Sequence, residues 1–249
     1  MHLSATQLSR RFGAIHALAG VSLDVAAGEV VGLIGPNGAG KSTLLDCVAG
    51  VSPPDSGEIR IDGAALEAQE RRQRLAYLPD GIAPWRSQRV ETVLDFATRV
   101  FGRLPDDVAP VAAESARADL PDWRPSLGAE LGLNAFAHQR IGELSKGQRK
   151  RTLVAFALIT GRPLILIDEP FDGLDPRQAR ALADVLRREA AVGRGVLISV
   201  HAMSQAVRTC HRLVLLQDGR VIAQGTEREL RERAGVTGGD FDEVFLALA

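Results

Sequence analysis

The sequence predicts an α/β fold: a doubly wound, mostly parallel sheet, accompanied by an antiparallel β subdomain and interrupted by an inserted helical subdomain. Three observations carry this. The runs at 29–34, 164–167 and 196–200 are almost continuously apolar rather than alternating, as parallel strands are when both faces are covered. Strand-like and helix-like segments alternate along most of the chain. Between 80 and 143 the pattern changes to helical periodicity, with apolar residues at Val90, Val93, Leu94, Ala97, Val100 and Phe101.

Taken in order, residues 3–8, 21–25 and 29–34 read as short strands separated by Gly-containing turns. A helix follows from 41 to about 48 and is broken across 50–55, where Pro53-Pro54 stands. Residues 57–61 with Asp62-Gly63 read as a hairpin, and 75–78 as a strand stopped by Pro79. Pro105, Pro110, Pro121 and Pro125 punctuate the helical insert. Beyond it come the strand 164–167, a helix over 178–191 and the strand 196–200. Residues 213–216 and 221–223, joined by Asp218-Gly219, suggest a closing hairpin, and 226–233 a final helix. The expected organisation is a single domain of 249 residues. Its α/β core covers 1–79 and 146–226, the helical subdomain 80–145 and a short tail 227–249.

A formal charge of −1 gives no electrostatic case for nucleic acid as a partner. The N-terminal residues MHLSATQLSRRF lack the apolar core of a signal peptide, and no stretch approaches the ~20 apolar residues of a membrane span, so a cytoplasmic chain is expected. Cys47 and Cys210 show neither metal-ligand nor disulfide spacing and read as buried thiols.

The most informative stretch is GPNGAGKST, 35–43, directly after the strand at 29–34. Gly35, Gly38 and Gly40 allow a turn whose N–H groups point inward at a helix start, an anion nest. Lys41 then reaches β- and γ-phosphates as a compact charge, Ser42 offers a hydroxyl to Mg²⁺, and Thr43 donates to the α-phosphate. The chain has three lysines, Lys41, Lys146 and Lys150, against twenty-seven arginines, which fits a site where a forked guanidinium cannot replace an ammonium. The run LILIDEP, 164–170, ends in two carboxylates: Asp168 is placed to hold Mg²⁺ through water and Glu169 to polarise the attacking water. LSKGQ, 144–148, opens another helix, where Ser145 and the Gly147 N–H make a second anion site, or an ordinary Ser N-cap.

In this order the motifs resemble those of the nucleotide-binding subunits of ABC transporters, across nearly the whole chain. GPNGAGKST is similar to Walker A, LILIDEP to Walker B, and LSKGQ to the LSGGQ signature, with Lys146 in place of a glycine. Gly173-Leu174-Asp175-Pro176 resembles the D-loop, His201 the switch histidine, and Phe12 the adenine-stacking aromatic, usually a tyrosine. The resemblance implies a P-loop NTPase that hydrolyses ATP with Mg²⁺, Glu169, His201 and Lys41 being catalytic. Phe12, Asn37, Gly38, Ala39, Gly40, Lys41, Ser42, Thr43, Ser145, Gly147, Gln148 and Asp175 would contact nucleotide; Ser42, Asp168 and Asp80 would face the metal. It also implies a head-to-tail ATPase dimer, as a homodimer or with a paired subunit, docked on a separately encoded transmembrane permease at the cytoplasmic face of the membrane.

Asp80 stands where the family usually has glutamine, and ionised Asp only accepts hydrogen bonds. With LSKGQ and the ending FDEVFLAL, it resembles the ABC-2-type exporter branch. Cys210-His211-Arg212 departs from the more usual Cys-Asp-Arg. Ile82, Pro84, Trp85 and Arg86 form a segment which in the family faces the membrane partner; packing of Trp85 within the subdomain is the alternative. Two further functions stay open on the residues alone: a soluble ATPase without transport, similar to the Fe–S assembly ATPases, and a nucleotide-gated binding module.

Overall fold

The computed structural model describes residues 1–101 and 122–249. Of the four prolines expected to punctuate the insert, Pro105, Pro110 and Pro121 lie outside the described residues. The described chain divides into two compact units, Met1–Asp80 with Pro163–Pro170 and Ala183–Ala249, and Gly81–Arg162 with Phe171–Leu182. Residues 146–162, expected with the core, group with the second unit.

The first unit holds both sheets. β1 (Leu3–Phe12), β2 (Ile15–Val25), β4 (Ser56–Ile61) and β5 (Ala64–Ala65) form an antiparallel sheet in the order β2-β1-β4-β5. β3 (Val30–Ile34), β6 (Leu75–Leu78), β7 (Leu164–Ile167), β8 (Gly195–Val200), β9 (Arg212–Gln217) and β10 (Arg220–Gly225) form the other, ordered β10-β9-β3-β8-β7-β6. Every neighbour pair from β9 to β6 is parallel and β10 is an antiparallel edge. All residues of β3, β7 and β8 are buried, as their unbroken apolar runs require.

Helix α1 (Lys41–Ala49) buries most of its residues, and Leu44, Leu45 and Val48 join one core cluster with Leu3, Leu8 and Val21 of the antiparallel sheet and Leu33, Leu166 and Leu197 of the parallel one. Contacts with both sheets therefore fix this helix. Cys47 and Cys210 are buried free thiols, as expected.

Three features were not anticipated. β1 and β2 are longer than expected and carry register shifts. α2 (Ala68–Arg74), sequence AQERRQR, has no apolar stripe, yet Arg71 is buried: its guanidinium donates to Val48 O at 3.1 Å and Leu66 O at 2.7 Å. The tail is helical beyond α6 (Met203–Thr209) and α7 (Glu227–Ala234), since α8 (Phe241–Leu248) buries Phe241, Val244 and Phe245 at helical spacing.

The second unit contains α3 (Val90–Phe101), which packs on α4 (Lys146–Ile159). α5 (Pro176–Ala191) begins in this unit and ends in the first. Val90, Val93, Leu94 and Ala97 are buried as the periodicity requires, but Val100 and Phe96 are exposed. Trp85 packs within the subdomain, its ring centroid 4.8 Å from that of Phe156, while 44% of the residue is exposed. Among the described residues no helix is long and apolar enough to cross a membrane.

His211 has a structural role that its sequence context did not reveal. Its Nδ1 accepts from the Val30 N–H at 2.9 Å, and its own N–H donates to Val30 O at 2.8 Å, pinning the start of β3. Accepting requires an unprotonated Nδ1. Burial and the nearby Arg187 hold its pKa below the usual imidazole value, with Glu29 opposing them. The folded value therefore lies below the unfolded one. This stabilisation is complete above the unfolded pKa and is lost as pH falls through it toward the folded value. Acidification from about pH 7.5 to about 5.5 should lower the urea midpoint modestly more in the wild type than in His211→Gln, whose Oε1 accepts the same N–H without titrating. Parallel pH profiles would remove His211 from the acid response.

Candidate functional site

The carboxyl ends of four adjacent parallel strands, β3, β8, β7 and β6, supply in that order the loop 35–40, His201, Asp168 with Glu169, and Asp80. Ligands of open α/β sheets bind outside such strand ends. A cleft of about 380 Å³ lies there, lined by Asn37, Gly38, Gly40, Lys41, Ser42, Thr43, Asp80, Asp168, Glu169 and His201, together with Ile15 and Ala17 of β2.

Gly40 caps α1 with φ +103°, and a Cβ there would stand 2.4 Å from Ala17 O, so a side chain is excluded both by conformation and by space. No side chain caps this helix start and its first turn carries no acidic residue, so its N–H groups face the cleft uncovered. Ala39, a predicted loop contact, is buried, and its carbonyl accepts from Gly219 N–H at 3.1 Å. Lys41 is buried and its Nζ donates to Gly35 O at 2.7 Å and Pro36 O at 3.1 Å. Burial lowers its pKa, while the Glu169 and Asp168 carboxylates oppose the shift.

Asp168 is buried at the end of β7, its N–H donating to Leu78 O at 2.9 Å. Glu169 follows with φ +50°, a left-handed conformation that costs a non-glycine residue on the order of 1 kcal/mol and turns its side chain out of the strand's path. Its N–H donates to Ser199 Oγ at 2.9 Å, and its Oε1 lies 3.1 Å from His201 Nε2. Burial raises the Glu169 pKa; His201 and Lys41 pull it down.

Ser199 is the organising group that the motifs did not reveal. It is wholly buried on β8, accepts the Glu169 N–H and donates to Asp168 Oδ1. A hydroxyl has one hydrogen to give, so Glu169 Oε1, 3.3 Å away, is left for another donor, and His201 is in place. The available signal was a lone polar residue within an apolar strand, VLISV at 196–200. Ile15 also escaped notice: it lines the cleft, 70% exposed, directly across the hairpin from Phe12, which is itself 50% exposed.

Four predicted contacts belong to the second unit. Ser145 caps α4 in a reciprocal capping box: its Oγ accepts the Gln148 N–H at 3.2 Å, and Gln148 Oε1 accepts the Ser145 N–H at 2.9 Å. Gly147 is buried, and a Cβ there would fall 2.3 Å from Gly173 O, so this helix start and the Gly173 turn touch backbone to backbone. Lys146 pairs with Asp172 beside the same turn. Asp175 caps α5, its Oδ1 accepting from Arg177 and Gln178 N–H groups at 2.9 Å each.

Comparison with known proteins gives a consistent answer. A model of the ABC transporter family matches residues 18–172. The Nod factor export ATP-binding protein I of Burkholderia pseudomallei (strain K96243) is 36% identical over 230 residues, 91% of this chain and 71% of that protein. Its counterpart in Rhizobium meliloti (strain 1021) is 34% identical over 252 residues, 97% and 71% of the two. A solved ATP-binding subunit of an ABC transporter superposes with a TM-score of 0.84 at 33% identity, covering 100% of this chain and 99% of that one. A nucleotide-free cassette from an ABC transporter, at 24% identity and TM-score 0.75, shares the fold. A chain that follows a solved ATP-binding subunit from end to end, with a buried lysine and two carboxylates gathered at its strand ends, belongs to the ABC transporter family: it is an ATP-binding subunit and an ATPase.

Proposed function

We propose that this chain energises export through a separate transmembrane permease, and that ATP closes two ATPase subunits head to tail. The observation that carries the reading is the pairing of Glu169 with His201 beside the glycine loop, with Lys41 at its base. Asn37, Gly38, Ala39, Gly40, Lys41 and Thr43 would cradle the phosphates through N–H groups and the Lys41 ammonium. Glu169 would accept the proton of the attacking water, and His201 would orient Glu169 and meet the γ-phosphate. Phe12 would stack the adenine.

The donor set fits Mg²⁺. Among the described residues no three His, Cys, Asp or Glu side chains form a metal cluster, so the protein offers a sparse oxygen set: the Ser42 hydroxyl, Asp168, and Asp80 in the cleft wall. That is the set Mg²⁺ takes when substrate phosphates complete its shell. When bound, the ion neutralises charge on the phosphates.

Ser145, Gly147 and Gln148 form a second helix start, capped by Ser145, in the unit that lacks the glycine loop; in the closed dimer they would complete the partner's nucleotide site. Asp175 would contribute through the turn it caps. The export direction follows the chain's similarity to the Nod factor export proteins, and the permease would select the substrate.

The test is affinity purification of tagged Glu169→Gln chain from detergent-solubilised cells with ATP and Mg²⁺. Co-purification of a polytopic membrane protein is the expected result. A soluble scaffold instead would support an ATPase without transport, and a chain that stays monomeric in saturating ATP would count against the sandwich.

A further inference from the structure

The Phe12 ring does not stand alone. The Arg10 guanidinium carbon lies 5.0 Å from the ring centroid, so one face of the ring carries a cation. Arg10 is in turn fixed: its Nη1 donates to Asp55 Oδ1 at 2.8 Å, and the other carboxylate oxygen accepts the Arg11 N–H at 2.7 Å. Asp55 is tied to the same strand by its own N–H, which donates to Ser9 O at 2.8 Å. The Arg10 Nε is buried and has no hydrogen-bond acceptor among the described residues, so Asp55 and the aromatic ring are what hold the guanidinium. Half of Phe12's surface remains exposed, and its directly opposed hairpin partner Ile15 lines the cleft, which places Phe12 beside the cleft on the same face of the hairpin.

We propose that Arg10, anchored by Asp55, is a positioning residue for the nucleotide base: it backs the Phe12 ring and sets it in the stacking orientation before ATP arrives. The proposal rests on Phe12 as the adenine platform. A phenyl ring has no hydroxyl with which to anchor itself, and an exposed side chain that must be ordered on binding weakens affinity. A ring already immobilised by a cation on its far face avoids that loss, and the cation draws electron density from the ring, which favours stacking of a π-rich base on the other side.

The test compares equilibrium affinities of the full-length chain, with Mg²⁺, for ATP and for inorganic tripolyphosphate, which lacks the base. Phe12→Ala should weaken ATP about tenfold and leave tripolyphosphate unchanged. Arg10→Met, which keeps the apolar stem, should weaken ATP about three- to fivefold, again without affecting tripolyphosphate, and Arg10→Lys should recover part of the loss. Asp55→Asn, which removes the charge and leaves one carbonyl oxygen for Arg10 and the Arg11 N–H, should give a smaller loss with the same selectivity. If Arg10→Met binds ATP like the wild type while Phe12→Ala does not, or if it weakens both ligands equally, Arg10 does not position the base, and the Phe12 reading stands. If Phe12→Ala leaves the ratio of the two affinities unchanged, the adenine platform itself is wrong.

Discussion

Glu169→Gln is expected to lower the rate of ATP hydrolysis by about 10²–10⁴-fold while ATP still binds, because it removes a proton acceptor without changing the size of the side chain. The surroundings argue for this role over a structural one. Burial raises the Glu169 pKa, which makes its carboxylate a stronger base, while His201 at 3.1 Å opposes the rise. The same shift has a cost. A carboxyl whose folded pKa exceeds its unfolded value loses stability as pH rises through that window, because the folded state there holds the extra proton. The nucleotide-free Gln variant should therefore melt above the wild type at neutral pH, and the difference should shrink on acidification. Phosphate release, gel filtration with ATP and thermal melts at two pH values read all three effects. A Gln variant that turns over at the wild-type rate would move the base elsewhere.

Lys41→Ala carries the second large effect: ATP affinity should fall about 10- to 100-fold, the range for losing a charge-assisted hydrogen bond to phosphate. In the structure Nζ bonds Gly35 O and Pro36 O, so the ammonium is held at the base of the loop. Lys41→Arg should do little better, since a planar five-donor guanidinium replaces a buried compact ammonium that bonds two carbonyls. Titration with a fluorescent ATP analogue measures both variants, and unchanged affinity in Lys41→Ala would undermine the phosphate-loop assignment.

The glycine loop, LILIDEP and the parallel core could be read from the sequence because each is a local pattern: glycine spacing, an apolar run, a helix start. What escaped depends on partners distant in sequence. Ser199 matters only because β8 lies beside β7, which brings its hydroxyl to Asp168. The importance of Ile15 comes from the hairpin that sets it opposite Phe12. α2 escaped because its packing is polar, through a buried guanidinium rather than an apolar stripe. α8 lies within reach of the sequence, since its apolar residues recur at helical spacing. In the helical subdomain periodicity identifies α3 as a helix, on which Val100 is exposed.

The buried Arg71 bears on the nucleotide site from the opposite end of α1. That helix has no basic residue in its own last turn, and its final carbonyls meet Arg71 instead, at Val48 O and Cys47 O. A positive charge at the carboxyl end of a helix complements the dipole whose amino end faces the cleft. α1 is nine residues long, so the two ends are only ~14 Å apart. The polar helix α2 thus serves as the missing cap of α1, and a substitution at Arg71 would strip the far end of the phosphate-loop helix of its donor without touching the cleft.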